Sequence, residues 1–325
     1  MRSRSSIKRL PVRALLCPAS LKGVLDAGAA AAALAQGFRA CGADAVELPV
    51  ADGGEGTADA LRAALGGERR RARVSDPLGR PVDSQWLVLD DGTAIVEAAA
   101  AIGLPLLAPD ERDPLRATSR GLGELVAAAL ADAPSLLVVT LGGTATVDGG
   151  SGLREVLGAL PIPTMALCDV RTQLAEAARV FAPQKGATQE EVELLEQRLS
   201  AMSELRPYAN LVGSGAAGGL GAAFAALGAE LVPGAAWVLD RIGFDEQLSS
   251  CDLVVTGEGQ VDETTTEGKA PGEVSRRASA ARVPCVVFGG LVLADAPGAR
   301  TVALSGDPER AEFDLQELGR RLATR

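Results

Sequence analysis

The sequence predicts an α/β fold in which a doubly wound parallel sheet is interrupted by a second α/β domain with a mixed sheet. Short β-type apolar runs alternate with alanine-rich helical stretches, a pattern typical of parallel α/β architecture. Between residues 69 and 97, two or three successive strand-like runs replace this alternation and indicate antiparallel pairing. Two strands precede this break and three follow the inserted segment, which is enough for one five-stranded doubly wound sheet.

The individual elements follow from local pattern. Short apolar runs predict strands at 14–17, 45–50, 136–141, 253–256, 285–288 and 301–304. Three further strands, 71–74, 85–89 and 94–97, are separated by turn signals at 77–79 and 90–92. Helices are predicted at 25–40, 57–65, 121–130, 190–202, 222–227, 273–281 and 315–322. We therefore expect a disordered basic tail at 1–13, a discontinuous domain made of 14–67 and 246–325, and an inserted domain at 68–245.

Composition excludes several classes of protein. The 325 residues include no histidine, which excludes Ser-His-Asp and Cys-His nucleophile systems and every imidazole-ligated metal site. Proton transfer must therefore fall to a carboxylate, a lysine or water. The net charge is −10 and no basic run exceeds residues 69–71, so we expect no nucleic-acid partner, because such a partner requires a concentrated positive face. A small anionic ligand held by local groups stays open.

The cysteines and the apolar segments bear on location. The five cysteines form no CxxC motif and lie mostly in or beside apolar runs, as reduced structural thiols do, which favours a cytoplasmic protein. The apolar stretch after Arg13 is shorter than the roughly 7 to 15 residues of a secretion signal. No segment has transmembrane length, so we expect no membrane association.

Lysine is rare in this chain and sits beside glycine. Only four of the 32 basic residues are lysines, and three of these, Lys22, Lys185 and Lys269, are flanked by glycine. A compact ammonium on a glycine-flanked loop can approach a phosphate as a point charge, whereas a planar guanidinium fits less well. The three lysines are therefore candidate phosphate or carboxylate ligands, weighed against chance placement at solvated helix ends.

Four glycine-rich loops punctuate the sequence, at 51–57, 142–152, 213–221 and 256–262. The first leaves a strand and opens a helix, where free backbone N–H groups favour an anion. The second combines hydroxyls with a carboxylate and a backbone able to crowd a ligand. The third contains GxGxxG, but residues 208–212 before it make a poor strand, which argues against dinucleotide binding. A Walker A loop is absent because Lys269 is followed by Ala270.

Carboxylates lie near these loops. Each could equally be a helix cap or turn residue, but together with isolated lysines and glycine-rich anion cradles they supply the parts for phosphoryl transfer. Mg²⁺ would bind carboxylates, lysine would bind phosphate oxygens, and an aspartate would accept the alcohol proton. The candidates of this type are Asp52, Glu55, Asp148, Asp169, Glu258 and Asp262.

Seven collinear stretches, taken together, resemble the glycerate kinase family of the bacterial two-domain type. They run from residue 15 to about 290 in family order, and as a set they are highly specific. The matching stretches are 20–23 (SLKG), 49–57 (PVADGGEGT), 141–150 (LGGTATVDGG), 168–170 (CDV), Phe181 with 183–187 (PQKGA), 215–221 (GAAGGLG) and 256–271 from TGEG to GKAP.

The resemblance implies ATP-dependent phosphorylation of D-glycerate, usually to 2-phosphoglycerate, with Mg²⁺. It also implies a flavodoxin-like domain interrupted by a second α/β domain, an active site in the cleft between them, and a monomer or homodimer whose partners are small molecules. Lys22, Lys185 and Lys269 would neutralise phosphate and substrate charge. Asp169 is the first candidate base and Asp52 the second, while Asp148, Glu258 and Asp262 would bind Mg²⁺ or ribose. The remaining predicted substrate or ATP contacts are Ser20, Gly53, Gly54, Glu55, Gly56, Gly142, Gly143, Thr144 and Thr146.

Several positions depart from the family pattern. Ala19, Val147 and Gln260 stand where the family usually has Asp, Asn and Arg. Each lost charge-assisted hydrogen bond is worth roughly 1.5 to 3 kcal/mol. Two alternatives to a glycerate kinase therefore stay open. One is a kinase for another small hydroxy acid, and the other is a non-catalytic relative that binds a nucleotide or a small acid.

A first prediction concerns Asp169, the first candidate base, which lies in the matching stretch at 168–170. Because a positioned acid–base group contributes roughly 10² to 10⁴-fold, Asp169→Asn should lower turnover at least a hundredfold. Steady-state kinetics of the purified variant would measure it. An unchanged rate would remove Asp169 from the chemistry.

Overall fold

The computed structural model describes residues 12–266 and 268–324, so all but Val12 and Arg13 of the predicted tail lies outside the described residues. The strands, in chain order, are β1 (Arg13–Pro18), β2 (Asp44–Glu47), β3 (Glu68–Ser75), β4 (Pro81–Val88), β5 (Thr93–Glu97), β6 (Leu136–Thr140), β7 (Thr164–Cys168), β8 (Glu230–Pro233), β9 (Leu253–Val261), β10 (Cys285–Val292) and β11 (Arg300–Ala303).

The α-helices of the same part of the chain are α1 (Ala27–Ala40), α2 (Thr57–Leu65), α3 (Ala99–Ile102), α4 (Arg120–Ala131), α5 (Ser151–Val156), α6 (Ala177–Phe181), α7 (Gln189–Ala201), α8 (Ala216–Ala226), α9 (Gly234–Arg241), α10 (Phe244–Leu248), α11 (Ala270–Ala280) and α12 (Ala311–Ala323). Short 3-10 turns join several of them. The helices predicted at 57–65 and 190–202 agree with α2 and α7 to within one residue at either end.

Backbone contacts divide the described chain into two compact units. The first contains residues 12–50, 243–266 and 271–324, and the second contains 51–242 with 268–270. The contact-based boundary after Val50 differs from the predicted one after residue 67, because α2 packs against β4, β5 and α9 of the second unit. Residues 243–245 likewise belong to the first unit, where α10 begins.

The first unit is built on a five-stranded parallel sheet of order β11-β10-β9-β1-β2. Counted along this unit alone, the strand order is 2-1-3-4-5, a doubly wound arrangement, so this prediction is confirmed. Residues 14–17 of β1 are wholly buried, as expected for a central parallel strand covered on both faces. On one face, Leu16 and Phe288 share a core with Phe38 of α1 and Leu315 of α12.

The second unit contains a six-stranded mixed sheet of order β3-β4-β5-β6-β7-β8. The β3–β4 and β4–β5 pairs are antiparallel, and the remaining three pairs are parallel, as the break in the alternating pattern predicted. Its core contains residues that are far apart in the sequence, including Trp86, Leu122 and Phe224. The second α/β domain with a mixed sheet is thereby confirmed.

Two sequence expectations were wrong in detail. The glycine-rich stretch at 256–262 is strand for most of its length, because β9 continues to Val261 and pairs with β10 through Glu258–Gly289 and Gln260–Leu291. Strands β7 and β8 were also missed. β7 is a five-residue run beyond a proline-rich segment, and β8 is a four-residue, partly exposed edge strand, so both are too short for a clear alternating pattern.

The cysteines of the chain are unpaired thiols, of which Cys41 alone is exposed. Burial raises the pKa of Cys168 to about 11 and that of Cys285 to about 12, so neither thiol is a ready nucleophile. Across residues 12–266 and 268–324, no helix combines the length and apolar character needed to cross a membrane.

Helices α1 and α12 cross with their backbones in close contact. A Cβ atom at Gly37 would lie 2.1 Å from the carbonyl oxygen of Gln316, and one at Gly319 would lie 2.5 Å from that of Leu34. No flexible side chain can yield at these points because the obstacles are backbone atoms. The first unit therefore depends on the absence of side chains where these two helices cross.

Gly37→Ala should lower the free energy of unfolding by about 1 to 3 kcal/mol because the helices must separate. This is opposite in sign to helix propensity, which favours alanine by about 1 kcal/mol. Gly158→Ala is the control, since its added Cβ would meet nothing within 4 Å. Urea unfolding of both variants would test the contact, and equal stability of the two would contradict it.

Candidate active site

The parallel strands of the second unit bring several predicted site residues to one edge of its sheet. β5, β6 and β7 end at Glu97, Thr140 and Cys168, and the segments that follow carry the 142–152 loop and Asp169. Loops beyond the carboxyl ends of parallel strands are where open α/β sheets bind ligands. This edge is therefore the candidate active site of the second unit.

The loop at 51–57 is packed tightly against this edge. A Cβ at Gly142 would lie 2.6 Å from the Cα of Gly54, and one at Gly53 would lie 2.9 Å from the Cβ of Leu167. Asp52 stabilises the loop from within, because its Oδ1 accepts a hydrogen bond from the Gly54 N–H at 3.2 Å. The structure thus brings together residues 52–54 and Gly142, which sequence analysis had named separately.

The sequence predicted free backbone N–H groups at the start of α2, but one of them is already bound by a side chain of the protein. Its N-cap, Gly56, has no side chain, and the Ala58 N–H donates to Oε1 of Glu97 at 3.1 Å. Burial raises the pKa of Glu97, and hydrogen bonds from the backbone of Ala58 and Gly56 partly offset that rise. An acidic group of the protein itself therefore occupies the place where an anion was expected. Sequence analysis missed Glu97, although an acidic residue ending an apolar strand was a usable signal.

Asp148 is held by a dense set of hydrogen bonds. Its Oδ2 accepts from the N–H and the hydroxyl of Ser119, both at 2.8 Å, and from the Gly152 N–H at 3.2 Å. Its Oδ1 accepts from the Gly150 N–H at 3.0 Å. An ionised carboxylate offers about four acceptor positions, so these contacts account for most of its capacity. Ser119, which is fully buried, was not identified from the sequence.

Lys185 lies inside the glycine-rich loop region. It is 4% exposed, and its Nζ donates to the carbonyl oxygen of Thr146 at 2.7 Å and to the hydroxyl of Thr144 at 3.2 Å. Burial lowers its pKa to about 7, while the nearby Asp148 partly opposes the shift. The Thr146 hydroxyl is buried with no hydrogen-bond partner in the described chain. The ammonium thus links two predicted ligand residues at the sheet edge.

Asp169 follows β7, and Gly268, the residue before Lys269, lies beside it. A Cβ at Gly268 would lie 2.9 Å from the carbonyl oxygen of Asp169, which places the segment carrying Lys269 at the end of β7. The third glycine-rich loop, at 213–221, is not a nucleotide fingerprint. It follows a 3-10 turn instead of a strand and bends through left-handed residues at 217–219.

A second group of predicted residues lies at the carboxyl edge of the first unit's sheet. Ser20 follows β1, and Lys22 is exposed, with its backbone N 3.6 Å from the Cβ position of Gly259. The hydroxyl of Thr265 donates to Glu258 Oε1 at 2.9 Å and accepts from the Asp262 N–H at 3.0 Å. Thr265 therefore links the carboxylate of Glu258 to the backbone of Asp262, the two residues that the sequence predicted as metal ligands.

The three departures from the family pattern have different surroundings. Val147 is 1% exposed and belongs to the apolar core, so its side chain faces the protein interior. Gln260 donates from Nε2 to Asp262 Oδ2 at 2.8 Å. Ala19 contributes its backbone N–H, which donates to the carbonyl oxygen of Gly257 at 2.9 Å. Two of these positions thus support the local backbone or the core.

In the described ranges, no three Asp, Glu, Cys or His side chains are grouped closely enough to hold a metal ion by themselves. Mg²⁺ is commonly held by one or two protein carboxylates together with substrate phosphates and water. Each of the three carboxylates proposed for the metal already accepts hydrogen bonds, and Asp148 accepts four of them.

The buried Lys185 generates a pH-dependent prediction. Its folded pKa of about 7 lies below the unfolded value of 10.5, so folding loses protons in that interval and stability rises with pH. At about 1.4 kcal/mol per pKa unit, the parent should gain roughly 3 kcal/mol relative to Lys185→Met between pH 7 and pH 10. Denaturant unfolding at several pH values would measure this, and parallel pH curves would show that the lysine is not desolvated.

Comparison with known proteins identifies the family of this chain. The model of the glycerate kinase family matches residues 14–164 and 161–306. The chain is 37% identical to glycerate 2-kinase of Escherichia coli K12 and 36% identical to glycerate kinase of Bacillus subtilis 168, covering 87% of this chain and 86% of each relative. A crystal structure from Salmonella typhimurium LT2, described as glycerate kinase 2, superposes with a TM-score of 0.82 at 33% identity, covering 97% of this chain and 98% of the other. The chain therefore belongs to the glycerate kinase family.

Proposed function

We propose that this protein is a glycerate kinase that transfers the γ-phosphoryl group of ATP to D-glycerate and forms 2-phosphoglycerate. It is a kinase by family, with an alcohol group as the phosphoryl acceptor. The observation that carries the proposal is the buried Lys185, bound to Thr144 and Thr146 at the sheet edge that also holds Asp52 and Asp169. A buried cation at a ligand-binding edge is suited to stabilising phosphoryl oxygens.

In this proposal Asp169 accepts the proton of the glycerate hydroxyl while the hydroxyl oxygen attacks the γ-phosphorus of ATP. The bond between the γ-phosphorus and its bridging oxygen breaks, and ADP leaves with the electron pair. Asp52 is the alternative base, although the hydrogen bond to its own loop favours a positioning role. Lys22, Lys185 and Lys269 neutralise the phosphate oxygens and the substrate carboxylate.

The unpaired Thr146 hydroxyl supports ligand binding at this edge. A buried polar group without a partner costs about 1 to 3 kcal/mol, which a ligand oxygen could recover. Mg²⁺, when bound, would neutralise charge on the phosphates, and Glu258 and Asp262 are the residues proposed to hold it. We place the enzyme in the cytoplasm as part of the same proposal, since its thiols are unpaired.

The proposal predicts Mg-ATP turnover with D-glycerate, measured as ADP release, with 2-phosphoglycerate identified by a coupled enolase reaction. Turnover in the usual range of about 1 to 10³ s⁻¹ would support it. Turnover only with another hydroxy acid would replace the substrate. ATP binding by calorimetry with no turnover on any acid would instead indicate a non-catalytic relative.

A further inference from the structure

Glu97 occupies an unusual place for a carboxylate that sequence analysis did not identify. It ends β5, in register with Thr140 of β6, and is partly buried. Its Oε1 accepts from the backbone of Ala58, which lies 39 residues earlier in the chain. Glu97 therefore connects the core strands of the second unit to the first turn of α2.

The start of α2 depends on this contact because its own sequence provides no side-chain cap. The N-cap is Gly56, with a left-handed φ of 90°, and no side-chain hydrogen bond from the N-cap is present. Side-chain oxygens at helix starts normally accept from the second or third N–H of the helix. In this structure Glu97, at the end of β5, supplies that acceptor.

The same helix start is tied to the 51–57 loop. The buried Thr57, the first residue of α2, donates from Oγ1 to the carbonyl oxygen of Gly54 at 2.7 Å. Gly54 in turn lies against Gly142, the second residue after Thr140. The loop carrying Asp52 is thus fixed by α2 on one side and by Gly142 on the other. Glu97 connects the two, because it binds the start of α2 and lies in register with Thr140, two residues before Gly142.

The charges around Glu97 argue against a direct chemical role. Its first partners are backbone N–H groups, and the neighbouring Asp59 forms an ion pair with Arg69. A carboxylate committed to a helix start is a poor proton carrier, and it also repels a phosphate from that helix end. The arrangement holds a loop in place.

We propose that Glu97 is a positioning residue of the phosphoryl-transfer reaction. Its carboxylate caps α2 and thereby holds the 52–56 loop against Gly142 in the geometry that turnover requires. The inference rests on the proposed kinase function, and it adds a residue outside the loop that the loop depends on.

The test compares Glu97→Ala and Glu97→Gln with Glu124→Ala as the matched control. Glu124 also accepts a backbone N–H from another element of this unit, that of Ser75 at 2.7 Å, but it lies on α4 and its partner lies on β3 instead of the 51–57 loop. Misplaced catalytic groups cost up to about 10²-fold, so we expect Glu97→Ala to lose roughly 10- to 100-fold in kcat/KM. Glu97→Gln keeps an acceptor oxygen and should recover most of that loss, while Glu124→Ala should keep the parental kinetic constants.

Added formate should restore part of the activity of Glu97→Ala and none of Glu124→Ala, because a free carboxylate can occupy the vacated helix start. Amide hydrogen exchange should be faster at residues 53–58 in Glu97→Ala. If that variant folds by circular dichroism yet keeps the parental kcat and KM, the proposal is wrong. A purely structural cap would lower only the unfolding midpoint.

Two further outcomes are separable. If Glu97→Ala does not fold, Glu97→Asp, which retracts the carboxylate by one methylene, replaces it; parental kinetics in that variant would overturn the proposal, and a reduced kcat/KM would support it. If the parent itself shows no turnover with D-glycerate, the proposed function fails. The exchange measurement then decides on Glu97 alone, since unchanged exchange at residues 53–58 would remove its positioning role.

Discussion

The close approach of the Gly54 and Gly142 backbones is the constraint on which the candidate site of the second unit depends. A Cβ at Gly142 would approach the Cα of Gly54 to 2.6 Å, so position 142 cannot carry a side chain while the two loops keep this contact. Protein interiors are packed closely enough that such a contact fixes position. The contact therefore also fixes the positions of the neighbouring residues, including Asp52 in the first loop and Thr144 in the second.

Burial of Lys185 is the electrostatic counterpart of this packing. The ammonium is taken out of water, and within the described part of the chain its hydrogen-bond acceptors are two neutral oxygens, a carbonyl and a hydroxyl. Its charged form is therefore disfavoured and would gain greatly from an anion, because the interaction of two charges strengthens as the surrounding dielectric falls. Burying this lysine without a counter-charge costs folding free energy, and a bound phosphate or carboxylate would offset that cost.

The sequence was sufficient for the architecture because that depends on patterns spread over many residues. The five-stranded doubly wound sheet, the mixed character of the second sheet and its antiparallel break follow from where apolar runs alternate with helices and where they do not. Boundaries were less predictable. β9 continues through a glycine-rich stretch because β10 pairs with it, and α2 joins the second unit because of partners distant in sequence. Pairing and packing of this kind leave no local signature.

The same distinction explains the site residues. Lys185, Asp52 and the threonines could be named because glycine-rich loops mark places where a backbone turns or approaches a ligand. Glu97 and Ser119 were not named, since each acts on a segment about 30 to 40 residues away, Glu97 on Ala58 and Ser119 on Asp148. The role of a carboxylate depends on its partners, and these are known only once the chain is folded.

Asp148 shows how the folded partners reassign a role. Its sequence neighbourhood, a carboxylate in a glycine-rich loop, fits a metal ligand as well as a turn. In the structure its oxygens accept from the starts of two helices, since Ser119 precedes α4 and Gly150 and Gly152 flank the start of α5. A metal would have to displace those donors and leave buried N–H groups unpaired, at about 1 to 3 kcal/mol each. Asp148 therefore joins the starts of the two helices in this structure.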